Sequence, residues 1–80
     1  MEYTFNNIKE AVFQGREIEF SVQNVHYFIS RESDDKWYLL NCKDQIYQYF
    51  NTSQDLINQA TINGKPLLEQ WENIIIDFVL

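Results

Sequence analysis

The sequence is poor in the residues that build catalytic, metal and phosphate sites. It contains one cysteine, Cys42, one histidine, His26, one proline and two glycines. A lone cysteine cannot form a disulfide within the chain, and an unpaired thiol is typical of a reducing compartment. Transition-metal sites need several soft donors, and phosphate-binding loops need clustered glycines. We therefore predict no disulfide scaffold, no metal and no cofactor.

Basic residues and long apolar runs are also scarce. Six Lys and Arg stand singly along the chain against twelve Asp and Glu, so the net charge is −6. Nucleic-acid binding needs clustered basic residues. The longest apolar runs, residues 74–76 and 78–80, are separated by Asp77 and fall far short of the roughly 18 residues that cross a bilayer. With no signal-peptide pattern, we expect a cytoplasmic protein without nucleic-acid or membrane partners.

The chain does have enough apolar material for one core. Of its 80 residues, 45% are hydrophobic and 16% are aromatic, whereas disordered chains are poor in such residues. No linker, repeat or low-complexity stretch divides it. We therefore predict a single α+β domain over residues 1–80.

The clearest pattern is the strict alternation of polar and apolar residues from Glu17 to Val22. Such alternation is typical of a strand with one buried face. A two-residue loop at Gln23-Asn24 would pair this strand with a second one over 25–31. Because a shift of one residue would turn half of the apolar side chains outward, the register is determined. It places six of them on one face: Ile18, Phe20, Val22, Val25, Tyr27 and Ile29.

The flanking segments predict a helix, two more strands and turns between them. Thr4 caps a helix over 5–14, which ends before Gly15. A polar turn at 32–35 leads into strands over 37–42 and 46–50, which complete a four-stranded antiparallel meander.

The last third of the chain predicts two short helices and a final strand. Thr52 or Ser53 caps the first helix, which buries Leu56, Ile57 and Ala60. Asn63-Gly64 is a turn signal. Pro66 occupies the first position of the next helix, whose core-facing residues are Leu67, Leu68 and Trp71. The β-branched segment 74–80 is expected to pair inside the sheet.

Two residues are candidates for chemistry. His26 points away from the core in the predicted register, and a nucleophile–base pair would require Cys42 and His26 to meet across two strands. No motif supplies that geometry, so we interpret His26 as an exposed strand residue and Cys42 as a small buried hydrophobe. The acidic cluster of Glu32, Asp34 and Asp35 lacks the spacing, glycine and closing glutamate of a calcium loop. We predict no catalytic residue and no enzyme; a cysteine-dependent enzyme remains the alternative.

Surplus aromatic residues point to contacts with other proteins. Phe28 lies on a face that should be solvated, so it packs either under a loop or terminal segment or against another chain. The third and fourth strands carry apolar residues on both faces, which predicts helices on one side and a second copy of the protein on the other. The candidate contact residues are Glu19, His26, Phe28, Tyr47 and Tyr49.

The leading hypothesis is therefore a non-enzymatic protein-interaction domain, which could form a homodimer. A second hypothesis is an inhibitor derived from a phage or mobile element that imitates nucleic-acid phosphates with its acidic surface. Such mimicry requires dense carboxylates on one surface. Here the acids are spread along the chain, and the charge is explained by solubility.

Three segments carry a resemblance to a known family. The strand Gly15-Arg16-Glu17-Ile18-Glu19-Phe20, the segment Trp37-Tyr38-Leu39 and the C-terminal Gly64-Lys65-Pro66-Leu67 followed by Trp71 resemble a family of small acidic bacterial and phage proteins of unknown function. The resemblance covers nearly the whole chain. It implies the same α+β fold and no catalytic or ligand-binding residue.

Overall fold

The computed structural model describes residues 3–80 and confirms the α+β fold in the predicted order of elements. Helix α1 spans Phe5–Phe13, and four strands follow: β1 (Ile18–Val22), β2 (Val25–Ser33), β3 (Lys36–Asn41) and β4 (Ile46–Phe50). The second half contains helix α2 (Ser53–Gln59), a small hairpin of β5 (Thr61–Ile62) and β6 (Lys65–Pro66), helix α3 (Leu67–Gln70), a 3₁₀ turn (Trp71–Asn73) and strand β7 (Ile74–Val79). Among residues 3–80 no helix is long and apolar enough to cross a membrane.

The predicted β1–β2 hairpin is confirmed in both its loop and its register. Ile18 pairs with Ile29, and Phe20 pairs with Tyr27 across the strands. The Phe20 and Tyr27 rings stack with their centroids 5.5 Å apart. Ile18 and Ile29 are fully buried, and burying a side chain of this size contributes about 1.5–3 kcal/mol. A one-residue shift would expose this whole row, so the hydrophobic effect maintains the register.

The five longer strands form one antiparallel sheet in the order β4-β3-β2-β1-β7. Strand β7 therefore joins the sheet, as predicted, and it does so as an edge strand beside β1. Its register with β1 shifts between Glu19 and Phe20, where Asp77 is an extra residue between the pairs Glu19–Phe78 and Phe20–Ile76. This β-bulge changes which side chains of β7 face the helices.

All three helices pack on the same face of the sheet, where they build the core. The buried residues of the helices are Ile8, Ala11, Val12, Leu56, Ile57 and Leu67. They form one cluster with the inward row of the sheet: Ile18, Phe20, Val22, Tyr27, Ile29, Trp37 and Leu39. The helices thus cover the face that carries Trp37, and the face that carries Tyr38 stays uncovered within residues 3–80.

Local capping explains where the helices begin and end. Thr4 and Asn7 form a reciprocal capping box at the start of α1, which satisfies backbone donors that have no partner within the helix. The helix ends at Phe13, one residue earlier than predicted, and Gly15 follows with φ of +86°. Thr52, one of the two predicted caps, accepts a hydrogen bond from the Asp55 amide at the start of α2.

The segment around Pro66 differs from the prediction. Pro66 pairs with Thr61 in the β5–β6 hairpin, and α3 begins one residue later. A four-residue helix has a single turn, so it can turn only two positions inward, three residues apart. These are Leu67 and Gln70. Leu68, predicted to face the core, is exposed, while the Gln70 amide donates to the Ile62 carbonyl oxygen at 2.8 Å.

The turn between β2 and β3 is tighter than predicted. Strand β2 continues through Ser33, and only residues 34–35 form the turn. A second bulge places Glu32 outside the regular pairing between Arg31 and Ser33. The Glu32 carboxylate lies 3.0 Å from the Lys36 ammonium. Of the segment 32–35 predicted as a polar turn, residues 32 and 33 therefore belong to strand β2.

Two of the hairpin loops, at residues 23–24 and 63–64, test which residues a loop with two positive φ angles prefers. Gln23 and Asn24 have φ of 50° and 69°, and Asn63 and Gly64 have φ of 55° and 78°. Loops with positive φ at both positions favour Asn-Gly. The double change Gln23→Asn and Asn24→Gly is therefore expected to raise the free energy of unfolding by about 0.5–1 kcal/mol in urea denaturation.

The second loop provides the matched control. The reverse change, Asn63→Gln with Gly64→Asn, is expected to lower the free energy of unfolding by a similar amount. A side chain at position 64 starts in open space, because a Cβ there meets no atom within 4 Å. If the first variant is no more stable than wild type, the positive φ of Gln23 and Asn24 does not destabilise the β1–β2 loop, and the prediction is wrong.

Candidate functional site

The sheet face opposite the helices, called here the outer face, is not covered by any element within residues 3–80. Antiparallel sheets often leave one face in water, and that face is then usually polar. Here it is rich in large apolar side chains. Its residues are Glu17, Glu19, Ser21, His26, Phe28, Ser30, Lys36, Tyr38, Leu40, Cys42, Tyr47, Tyr49, Ile75, Asp77 and Phe78.

Aromatic rings cover the β2–β3–β4 side of the outer face. Tyr47 and Tyr49 stack with centroids 5.5 Å apart, and both contact the edge of Tyr38 at 5.3 and 6.1 Å. Phe28 packs edge-on against Tyr38 at 6.5 Å. Within residues 3–80 the side-chain hydrogen bonds of the neighbouring strands, such as those of Ser30, Asn41 and Gln48, do not involve the three tyrosine hydroxyls. The cluster therefore presents apolar rings and available hydroxyls, a combination that is enriched in protein interfaces.

Strand β7 supplies the most exposed apolar residues of the outer face. Ile75 and Phe78 are 66% and 61% exposed. Strict alternation from Ile74 would place Phe78 on the core face, but the bulge at Asp77 turns Phe78 outward beside Glu19. Sequence reasoning missed both residues, for different reasons. The unbroken apolar run 74–76 does not show which of its faces is outward, and a bulge leaves no mark in a pattern of period two, so Phe78 could not be placed.

A groove of about 540 Å³ crosses the outer face between β7 and β3. Its volume lies within the range of roughly 300–1,000 Å³ that is typical of ligand sites. The residues that line it are Glu19, His26, Tyr27, Phe28, Leu40, Cys42, Asp77 and Phe78. We call it the sheet groove.

The charges of the sheet groove are negative. Glu19 and Asp77 contribute carboxylates, and the His26 Nδ1 atom lies 3.7 Å from Asp77 Oδ2. Among residues 3–80 no lysine or arginine lines the groove. The cation of the outer face closest to the tyrosines, Lys36, lies 4.9 Å from the centre of the Tyr49 ring and is paired with Glu32.

The structure places Cys42 and His26 beside each other on the β3 side of β2, but within residues 3–80 no hydrogen bond joins the thiol to the imidazole. The Cys42 amide donates to the His26 carbonyl oxygen at 3.0 Å, and both side chains line the sheet groove. However, burial raises the pKa of the Cys42 thiol, and the Glu19 carboxylate raises it further. A nucleophilic cysteine needs the opposite shift, so this environment favours an inert thiol.

The same side chains do not form a metal site. No group of three or more His, Cys, Asp or Glu side chains within the described residues is arranged to hold a metal ion. The Asp34–Asp35 turn is solvated: Asp34 pairs with Arg31 at 3.4 Å, and Asp35 accepts a hydrogen bond from Ser33.

All five predicted contact residues lie on the outer face. Glu19, His26 and Phe28 line the sheet groove, and Tyr47 and Tyr49 lie in the aromatic cluster. Phe28 does not pack under a loop or terminal segment within residues 3–80; its ring contacts Tyr38 on the uncovered face. Contact of Phe28 with another chain stays a prediction.

No family model, no curated protein and no solved structure matches this chain. The resemblance to small acidic bacterial and phage proteins stays a prediction.

The raised pKa of Cys42 predicts slow alkylation. We expect iodoacetamide to react with Cys42 near neutral pH more slowly than with a free thiol, whose pKa is about 8.5, because less thiolate is present. The substitution Glu19→Gln removes a nearby negative charge, so it should lower the pKa and speed the reaction. Rates measured across pH by mass spectrometry would report both effects.

The control for this experiment is Glu72→Gln, which changes the net charge equally at an exposed turn on the helical side. It should leave the rate profile unchanged. A Cys42 that reacts faster than a free thiol near neutral pH would contradict the inert-thiol interpretation and favour a cysteine-dependent enzyme.

Proposed function

We propose that this protein is a non-enzymatic interaction domain that binds another protein through the outer face of its sheet. The observation that supports this function is the uncovered aromatic surface formed by the tyrosine cluster, Phe28, Ile75 and Phe78. Its role in the cytoplasm is part of the proposal, since the unpaired Cys42 suits a reducing compartment.

The size and composition of the outer face support binding. Five strands about 4.8 Å apart and five to nine residues long make a projected face of roughly 400–500 Å². Apolar side chains occupy the β2–β3–β4 side of it, and contiguous exposed apolar patches are often functional. Interface cores are enriched in Tyr, Phe and Trp and depleted in charged residues. The β2–β3–β4 side of this face has that composition.

Electrostatics favours a different protein over a second copy of this chain. Each copy has a net charge of −6, so two copies repel each other as they approach, and a symmetric contact centred on β1 would bring together two sets of Glu17, Glu19 and Asp77. Like charges placed opposite each other in an interface cost several kcal/mol. The nearby cation Lys36 is already engaged by Glu32 at 3.0 Å. A homodimer is therefore the less favoured form of the proposal.

The proposal is tested by comparing partners captured by variants that differ in which apolar residue they lose. Ile75 on the outer face is 66% exposed, and Leu68 on the helical side is 64% exposed. Ile75→Ser with Phe78→Ser should release a partner that wild type and Leu68→Ser retain, because only the outer face then loses its apolar contacts. Capture from lysate with quantitative mass spectrometry measures the difference.

Solution mass and circular dichroism complete the design. All variants should give the same spectrum, which shows that they are folded, and wild type should be monomeric at the capture concentration. A partner that is retained equally by all variants would contradict the proposed surface. A wild-type dimer that Ile75→Ser with Phe78→Ser dissociates would overturn the choice of a different protein as partner.

A further inference from the structure

We infer that the partner inserts a positively charged side chain, Lys or Arg, into the sheet groove between Glu19 and Asp77. This inference rests on the proposed function, because it names the chemistry of the partner at the same surface. It is carried by the juxtaposition of two carboxylates with two aromatic rings around one groove of about 540 Å³.

The carboxylates of the groove lack a strong cationic partner. Glu19 forms no ion pair with a lysine or arginine within residues 3–80, and the neighbour of Asp77 is His26 at 3.7 Å. The His26 side chain is 73% exposed, whereas that of Asp77 is 33% exposed. A partner that covers the groove would remove water from Glu19 and Asp77, and an uncompensated buried carboxylate is costly. An incoming cation offsets that cost.

The walls of the groove suit the rest of a Lys or Arg side chain. Phe28 and Phe78 flank the carboxylates, and Leu40 provides an apolar surface. Long basic side chains pack their methylene stems on apolar surfaces while the charged group meets carboxylates, and aromatic faces attract cations. A cation–π contact of this kind also occurs within the chain, where the Arg31 guanidinium lies 5.3 Å from the centre of the Trp37 ring.

The groove discriminates against other partners by charge. An acidic side chain would meet both Glu19 and Asp77, and the total charge of −6 would repel an acidic protein during its approach. A neutral apolar side chain could contact Phe28 and Phe78 but would leave the carboxylates desolvated and unpaired. A segment with one basic residue between apolar residues fits both the groove and the surrounding rings.

A peptide pair tests the inference directly. The probes are N-acetyl-Leu-Arg-Leu-amide and the same peptide with citrulline, which has the shape of arginine without its charge. Titration into ¹⁵N-labelled protein, followed by amide chemical shifts, should move the amides of Glu19, His26 and Phe78. The arginine peptide should bind about three- to tenfold more tightly, as expected for an ion pair with a cation–π contact.

Two matched variants locate the charge effect. Glu19→Gln removes a carboxylate that lines the groove. Glu17→Gln is the control, because Glu17 lies just before β1, outside the groove lining, and its carboxylate accepts a hydrogen bond from the Ser30 hydroxyl. The preference for arginine should fall in Glu19→Gln, fall further when Asp77→Asn is added, and persist in Glu17→Gln. It should also shrink when ionic strength rises from about 0.01 to 0.15 M, which shortens the Debye length from roughly 30 to 8 Å.

Equal binding of the arginine and citrulline peptides in the groove would overturn the inference while leaving the proposed function intact. No shift of the groove amides with either peptide would also overturn it, as would an arginine preference that survives Glu19→Gln with Asp77→Asn. The proposed function itself fails only in the capture experiment, where outer-face and helical-side variants behave alike, so the two failures are distinguishable.

Discussion

The pairing of β1 with β2 is the constraint on which the rest of the structure depends. Its register turns the row from Ile18 to Ile29 toward the helices and therefore turns Glu19, His26 and Phe28 the other way. Strands β3 and β7 extend both rows. Because all three helices pack on the first row, the second row has no cover within residues 3–80. The same hydrophobic burial that stabilises the fold thus creates the outer face.

The outer face combines an aromatic cluster with two carboxylates. Its aromatic cluster would contribute apolar contact area with little loss of side-chain entropy, because tyrosine and phenylalanine rings have few rotatable bonds. Its carboxylates, Glu19 and Asp77, lie beside that cluster and give the contact a preferred charge. Apolar area would supply affinity, and the charges would supply selectivity and faster association with basic partners. Cys42 lies in the same groove, but its raised pKa favours a packing role.

Much of the fold and part of the site could be predicted from the sequence, and the limits have physical causes. Alternation from Glu17 to Val22 was sufficient for the hairpin because one face is buried and a shift is penalised. The outward placement of Phe28 followed from the same register, whereas the apolar residues on both faces of β4 left open whether the helices cover Tyr47 and Tyr49 or the opposite side. Phe78 was missed because the bulge at Asp77 depends on pairing with β1, and Ile75 was missed because the three consecutive isoleucines 74–76 do not show which face is outward. Leu68 was misplaced because α3 is a single turn, a length that local residue preferences do not determine.

The central claim is that the helices cover one face of the sheet and leave the other in solvent. Hydroxyl-radical footprinting of the monomeric protein, with residue-level mass spectrometry, tests it most directly, because tyrosine and phenylalanine occur on both faces. The account predicts rapid modification of Tyr47, Tyr49 and Phe78 and strong protection of Phe20 and Tyr27, which are buried. Protection of Tyr47, Tyr49 and Phe78 with rapid modification of Tyr27 would show that the helices cover the opposite face, and it would contradict the account.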